Sequence, residues 1–316
     1  MTIRRRPARA AAALAAAVAI AAATAACTPG ESPATVPDDV ASSLQVEVRQ
    51  DRTQYADGTA KLHVTNGSAE TLTLLSGRLE ASGFGPSGPD GSAPAATLRP
   101  GGARDVRITL GEVDCDAAPP ASGTPGAPDP GGSDAGAAGG VPVQVTVELG
   151  EAAAPGPPRR VGLTATDPHG RLAAVHTQEC ARRLVASGAD LRVLPDLGTE
   201  QRGDHLVLLL RVRVEPVPGG PAVRLDRVTG TTLMAPADGA AAWTGEALEP
   251  DGAGDVVLDV TPQRCDPHAV AEDKRGTFVP VLATVDGAEQ PPVYLPMPEE
   301  AQPAFFDWLG EACGWD

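Results

Sequence analysis

The side chains best suited to chemistry in this chain of 316 residues are five cysteines and five histidines. The histidines are His63, His169, His176, His205 and His268. None belongs to an H-E-x-x-H pattern, and no two cysteines have the C-x₂-C spacing of a zinc site. The sequence also has no G-x-S-x-G and no P-loop. These patterns predict a protein that is not an enzyme and that uses no metal and no cofactor.

The tripeptide Asp-Pro-His occurs twice, at 167–169 and 266–268. One interpretation is an acid–base or ligand pair. The other is a helix start, because Asp caps helices and Pro suits the first helical position, with the histidine following by chance. We expect the first copy to open a helix and the second to lie in a loop. Since those positions are not equivalent, the helix-start interpretation is favoured.

A longer motif also occurs twice in the sequence. "LRPGGARDVRITLGEVDCD" at 98–116 returns as "LEPDGAGDVVLDVTPQRCD" at 248–266, 150 residues later without a gap. Each copy begins with a Pro- and Gly-containing turn and continues as an alternating apolar strand that ends at a cysteine. The chain is therefore predicted to be a tandem repeat.

The repeat predicts how four of the cysteines pair. Each copy closes with a predicted helix that ends at a cysteine, Cys180 in the first and Cys313 in the second. Of the three pairings that four cysteines allow, only Cys115–Cys180 with Cys265–Cys313 is the same in both copies. Such long disulfide loops stabilise a fold by about 4 kcal/mol each in the chain-entropy model.

Short alternating runs separated by Gly-, Pro- and Asp-rich turns predict the strands of each repeat. The runs are 44–48, 59–66, 70–82, 104–110, 141–149 and 159–165, then 189–195, 204–216, 222–234, 255–260, 278–287 and 291–297. The closing helices are predicted over 167–180 and 298–313. In the second, Phe305, Trp308, Leu309 and Ala312 share one apolar face.

These strands predict an all-β fold of two tandem β-sandwich domains, each ending in a short α-helix. The arrangement resembles the tandem immunoglobulin-like domains of bacterial surface proteins. The first domain is assigned to 44–183, with a disordered loop at 116–140 that the second copy lacks, and the second to 184–316. The Cys…Trp…Cys signature of antibody domains is absent, so the strand topology is left open.

The amino terminus has the layout of a signal peptide over residues 1–26, with a basic start followed by an Ala-rich apolar run. The small residues before Cys27 resemble a bacterial lipobox, in which the cysteine becomes the lipid-bearing amino terminus. Simple secretion after cleavage is the alternative. Residues 27–43 are predicted to be a disordered tether. Because the composition is rich in Ala, Gly, Pro and Arg, the chain resembles the secreted lipoproteins of high-GC actinobacteria.

The net charge of −16, with 25 Lys and Arg against 41 Asp and Glu, disfavours nucleic acid as a partner. We expect an extracytoplasmic protein, anchored to the outer face of the membrane by lipid, that binds or scaffolds another envelope protein or a wall component. A lipoprotein that binds a small molecule or glycan is the alternative, and a hydrolase with an unrecognised site is a further one. The identity of the partner and the oligomeric state are left open.

The carboxy-terminal segment "PAFFDWLGEACGWD" concentrates four of the nine Phe, Tyr and Trp side chains. Most of it is expected to be core. Phe306 and Trp315 fall off the apolar helical face, and they are the candidate partner surface.

The lipid anchor gives a first testable prediction. Replacing Cys27 with Ala removes the acylation site, so we expect the protein to leave the membrane fraction of its native host. Immunoblots of membrane and supernatant fractions measure this, with Cys265→Ala as a control that keeps the lipobox. Retention of the Cys27→Ala protein in the membrane fraction contradicts a lipid anchor.

Overall fold

The computed structural model describes residues 36–51, 54, 58–89, 95–120, 141–149, 156–250, 254–273 and 275–315. The first half contains α1 (Asp38–Ser42), β1 (Leu44–Arg49), β2 (Thr59–Asn66), β3 (Leu72–Leu79), β4 (Gly88–Pro89), β5 (Ala96–Leu98), β6 (Ala103–Thr109), β7 (Val141–Leu149), β8 (Arg159–Thr166) and α2 (Arg171–Gly188).

The second half contains β9 (Ala189–Val193), β10 (Gly198–Arg202), β11 (His205–Pro216), β12 (Val223–Thr229), β13 (Met234–Pro236), β14 (Ala242–Thr244), β15 (Asp255–Pro262), α3 (Pro267–Glu272), β16 (Phe278–Val285), β17 (Ala288–Glu289), β18 (Val293–Pro296) and α4 (Gln302–Cys313). A 3₁₀ turn, Gly245–Leu248, follows β14. The predicted all-β class is confirmed. Six further short strands, β4, β5, β10, β13, β14 and β17, were not predicted as separate elements.

The strands of the first repeat form one continuous sheet in the order β4-β6-β2-β1-β8-β7-β3-β5. β1 joins the two halves of this sheet, because it pairs antiparallel with β2 and parallel with β8. The half β1-β2-β6 and the half β8-β7-β3 have the A-B-E and G-F-C order of an immunoglobulin sandwich. The topology that the sequence left open is therefore immunoglobulin-like.

The second repeat has the same order in two separate sheets. In one sheet β9 and β10 flank β11, which pairs with β15, and β15 pairs with β13. In the other, β16 pairs with β12 and with β18. These sheets correspond to the A-B-E-D and C-F-G sheets of the immunoglobulin fold.

The 150-residue offset of the sequence repeat reappears in the strand register. Leu62 of β2 lies opposite Val106 of β6, and Val212 of β11 lies opposite Val256 of β15. All four side chains are buried. The duplicated motif therefore forms the same central strand pair in both sandwiches.

The folded part begins earlier than predicted. Val36 and Val40, which the sequence pattern places in a disordered tether, are buried in the core of the first repeat. Val40 lies in α1, and its apolar contact with the sandwich outweighs the surrounding Pro and Asp residues. Residues 1–35, which include the predicted signal peptide and Cys27, lie outside the described residues, as does most of the predicted loop 116–140.

The first helix is longer than predicted and serves both repeats. It begins at Arg171 rather than at 168 and continues to Gly188, directly before β9. Leu172 near its start is buried in the first core, whereas Ala181 and Val185 belong to the second. α2 thus runs without a break through residues 183 and 184, where the sequence pattern divides the repeats, because apolar side chains at its two ends pack in different cores.

Both predicted cysteine pairs lie at disulfide distance. Cys115 and Cys180 have their Cα atoms 5.5 Å apart, and those of Cys265 and Cys313 are 5.3 Å apart. Such bonds are typical of proteins outside the cytoplasm. In the described part of the chain, no helix is long and apolar enough to span a membrane.

One duplicated pair of facing polar side chains differs in burial between the repeats. On the central strands, His63 lies opposite Asp105, and 150 residues later Arg213 lies opposite Asp255. In the first repeat 42% of the Asp105 side chain is accessible to solvent. In the second repeat only 5% of the Asp255 side chain is accessible. Hydrogen bonds from Arg213 hold the pKa of Asp255 below its ordinary value.

The buried pair predicts an acid-sensitive second repeat. A carboxyl group whose pKa is lower in the folded state stabilises the fold above the unfolded pKa and loses that contribution as pH falls through the folded pKa. We expect Asp255→Asn to lower the free energy of unfolding at pH 7, and its difference from wild type to shrink below about pH 4, the ordinary aspartate pKa.

The matched control is Asp105→Asn, which should cost less because its pair is solvent-exposed. Urea unfolding curves between pH 2 and 7 measure both variants. Equal losses at pH 7, or a pH-independent loss for Asp255→Asn, contradict this interpretation.

Candidate functional site

Residues 112–115 follow β6 in the first sandwich and contact α2 in space. We call this four-residue segment the strap. Its backbone is held by a turn at 83–85. The Gly85 amide donates to the Glu112 carbonyl at 2.7 Å, and the Asp114 amide donates to the Gly83 carbonyl at 2.9 Å. A Cβ on Gly111 would lie 2.0 Å from the Gly85 carbonyl oxygen, so this close approach requires glycine.

Three side chains of α2 reach the strap from one helical face. His176, Cys180 and Arg183 stand at i, i+4 and i+7, a spacing that aligns side chains on an α-helix. The His176 ring contacts the Asp114 carbonyl, Cys180 is bonded to Cys115, and Arg183 donates to the Val113 carbonyl at 2.9 Å. Since the same helix also packs in the second core, the strap contacts fix one sandwich against the other.

A cleft of about 580 Å³ lies at this junction. The first sandwich contributes Phe84 and Leu110, α2 contributes Val175, and the second sandwich contributes Phe278 and Tyr294. The lining therefore has an apolar and aromatic floor to which both repeats contribute. Its volume falls in the range of ligand pockets, roughly 300–1,000 Å³.

The rim of the cleft is charged. Glu179 accepts hydrogen bonds from Arg182 at 2.7 Å and from Arg183 at 2.9 Å. Arg182 above all, together with Arg183, holds the pKa of Glu179 below its ordinary value, against the opposing effect of burial. The more exposed Glu112 lies 3.4 Å from Arg183. These hydrogen bonds and the Arg183–Glu112 contact fix the charged side chains of the rim in place.

On the opposite wall, the Arg275 guanidinium carbon lies 4.2 Å from the centre of the Tyr294 ring. This cation–π contact orients both side chains along the cleft. Tyrosine and arginine are the residue types that most often carry the binding energy of protein interfaces. The cleft can therefore bind apolar groups on its floor and charged groups of either sign at its rim.

The two residues of the predicted partner surface differ in their exposure. Phe306 is 41% exposed and packs edge-on against the buried Phe305. Trp315 is half-buried against the second core, and its indole N–H donates to the Cys265 carbonyl at 3.1 Å. The Gly314 turn after α4 brings Trp315 back against the second core, where it stays partly accessible.

The rest of the aromatic segment is core, as predicted. Phe305, Trp308 and Leu309 are buried. The Trp308 indole N–H donates to the Leu206 carbonyl at 3.1 Å, which satisfies its polar group inside the fold.

Both Asp-Pro-His copies start helices. The Asp167 carboxylate accepts from the amides of Arg171 and Leu172, which are the first residues of α2. Asp266 caps α3 by accepting from the His268 amide, so the prediction of a loop at the second copy was wrong. Among the described residues, no group of three or more His, Cys, Asp or Glu side chains is arranged to hold a metal ion.

The cleft residues were missed by the sequence reasoning. Phe84, Val175 and Tyr294 come from three distant segments, and no local pattern connects them. One signal was available: the repeat places Cys115 and Cys180 together, and α2 residues near Cys180 had to face that point of the first sandwich.

Comparisons with known proteins yield no family. No family model matches the chain, and no curated protein matches it. Among solved structures, a chain of the Salmonella enterica SafA pilin in complex with the SafB chaperone is similar at 15% identity, over 80% of this chain and 96% of that chain, with a TM-score of 0.16. At that TM-score the likeness indicates no shared function.

The aromatic helix gives a prediction with a built-in control. Phe305→Ala removes a buried ring and should lower the free energy of unfolding by about 3–5 kcal/mol. Phe306→Ala, at the neighbouring exposed position, should change it by no more than about 0.5 kcal/mol. Chemical denaturation of both variants measures this, and a comparable loss for both would show that Phe306 is packed.

Proposed function

We propose that this protein is a non-enzymatic lipoprotein of the cell envelope, of the tandem immunoglobulin-like kind that it resembles in actinobacteria. Anchored through Cys27, it binds another envelope protein or a wall component in the cleft between its two sandwiches. The observation that carries the proposal is the cleft itself, with an apolar floor lined by both repeats and a rim of fixed charges.

The chemistry of the cleft supports binding rather than proton transfer. A general acid that works at neutral pH needs a raised pKa. The carboxylate best placed at the rim, Glu179, has a lowered pKa because two arginines donate to it. Its role is to orient Arg182 and Arg183 toward an incoming partner.

The position of the cleft supports a protein partner. Its walls belong to two sandwiches joined through α2, so a bound segment contacts both repeats at once. Burial of Tyr294, Phe278 and Val175 beneath such a segment supplies the apolar contact, and the rim arginines and Glu112 supply charge complementarity.

A second candidate is favoured by the size of the cleft. About 580 Å³ is enough for a drug-sized molecule or a short glycan, and the Tyr294 ring offers a stacking surface. A lipoprotein that presents such a ligand is the alternative function.

The test is site-directed photo-crosslinking in living cells. A photoreactive amino acid at Pro296, on the exposed side of the cleft, is compared with the same probe at the exposed Phe306 on α4. We expect one dominant envelope protein to be captured from position 296 and not from position 306.

The affinity of the protein for the purified partner is then measured directly. Tyr294→Ala should weaken binding at least about tenfold, as expected for an interface anchor, whereas Phe306→Ala should leave it unchanged. Thermal unfolding of both variants controls for folding. Capture of saccharide or of a small molecule at 296 supports the second candidate, and capture from 306 alone contradicts the cleft as the binding site.

A further inference from the structure

The first disulfide has a histidine beside it whose tautomer is fixed. His176 is 4% exposed and stands one helical turn before Cys180. Its Nε2 lies 3.0 Å from the Asp114 carbonyl oxygen. Because a carbonyl only accepts hydrogen bonds, Nε2 carries the hydrogen, and in the neutral ring Nδ1 keeps its lone pair. Nδ1 lies 4.0 Å from the Cys180 sulfur.

The surroundings of the ring hold it in this position. Gly83 has a φ of +75°, and a Cβ there would lie 2.6 Å from the ring carbon Cδ2 of His176. The Phe84 ring packs edge-on against the imidazole with centroids 5.9 Å apart. A side chain at position 83 would displace the ring, so the turn at 83–85 keeps the base next to the sulfur.

The disulfide is also open to solvent. Cys115 is exposed, and both cysteines line a surface groove of about 770 Å³. The groove is bordered by Gly85, Ser187 and Leu184, and Leu184 is 42% exposed. A thiol on a small molecule or on a flexible protein segment can therefore reach the Cys115 sulfur.

The second disulfide is a natural comparison within the same chain. Four residues before Cys313, where α2 has His176, α4 has the buried Leu309. The Cys313 sulfur contacts the Arg264 carbonyl oxygen at 3.9 Å, which cannot take up a proton at neutral pH. The two repeats thus have the same disulfide, one with an adjacent base and one with an adjacent leucine.

We propose that Cys115–Cys180 is a thiol–disulfide exchange site that forms a mixed disulfide through Cys115 with an envelope thiol. The incoming thiol loses its proton to solvent, and its sulfur bonds to the Cys115 sulfur. His176 Nδ1, which lies beside the departing Cys180 sulfur, takes up a proton from solvent. The Cys115–Cys180 bond breaks, and its electron pair leaves on Cys180 as a thiolate beside the imidazolium. The partner sulfur is oxidised, the Cys180 sulfur is reduced, and no further reactant is needed.

This activity does not depend on binding in the cleft. It is a stoichiometric exchange and adds a redox function to the binding role. Cys265–Cys313 remains a structural bond. Its Cys265 is exposed like Cys115, so the base beside Cys180, rather than access, distinguishes the two disulfides.

The experiment uses the oxidised full-length protein and reduced glutathione as the probe. Samples are quenched with acid at intervals and alkylated, and the two disulfides are quantified separately by peptide mass spectrometry. We expect Cys115–Cys180 to react at least about tenfold faster than Cys265–Cys313, with glutathione attached to Cys115.

The base is tested with His176→Asn, whose amide can still donate to the Asp114 carbonyl but cannot accept the proton. It should slow the exchange of Cys115–Cys180 at least about tenfold and leave the rate of Cys265–Cys313 unchanged, which serves as an internal control for folding. Equal rates for the two disulfides in the wild-type protein, or attachment of glutathione to Cys180, overturn the proposal, and these results need no variant. An unchanged rate in a folded His176→Asn protein does so as well.

Discussion

The structure depends on the contact between α2 and the strap. On one face of this helix, His176, Cys180 and Arg183 bind residues 112–115 of the first sandwich by a hydrogen bond, a covalent bond and a further hydrogen bond. On another, Ala181 and Val185 pack in the second core. Because a single rigid helix makes both contacts and continues directly into β9, the two sandwiches are held together without a flexible linker.

The cleft and the exchange-site disulfide both follow from this constraint. The cleft exists because α2 forms one wall between the two sandwiches, and its rim charges are those of α2 and the strap. The groove at Cys115 is lined by the same strap. The proposed binding cleft and the proposed exchange site are therefore adjacent, although different side chains form them.

Duplication of one domain has produced equivalent positions with different chemistry. The central pair of facing side chains uses His63 in the first repeat and Arg213 in the second, opposite the equivalent Asp105 and Asp255. The closing disulfide has His176 beside it in the first repeat and Leu309 in the second. In both cases the first repeat carries the titratable residue and the second carries the one that favours stability, a permanently charged arginine or an apolar leucine.

The sequence by itself determined the strands, the repeat and the cysteine pairs. Local alternation of apolar residues and Gly- or Pro-containing turns is enough to predict β2 and β6, and the 150-residue offset predicts both Cys115–Cys180 and Cys265–Cys313. Tertiary structure decided which core each half of α2 joins, that Val40 is buried and that Trp315 packs against the second core. It also brought Phe84, Val175 and Tyr294 into one cleft. These features depend on contacts between segments that are far apart in the chain, and such contacts leave no periodic signal in the residues that make them.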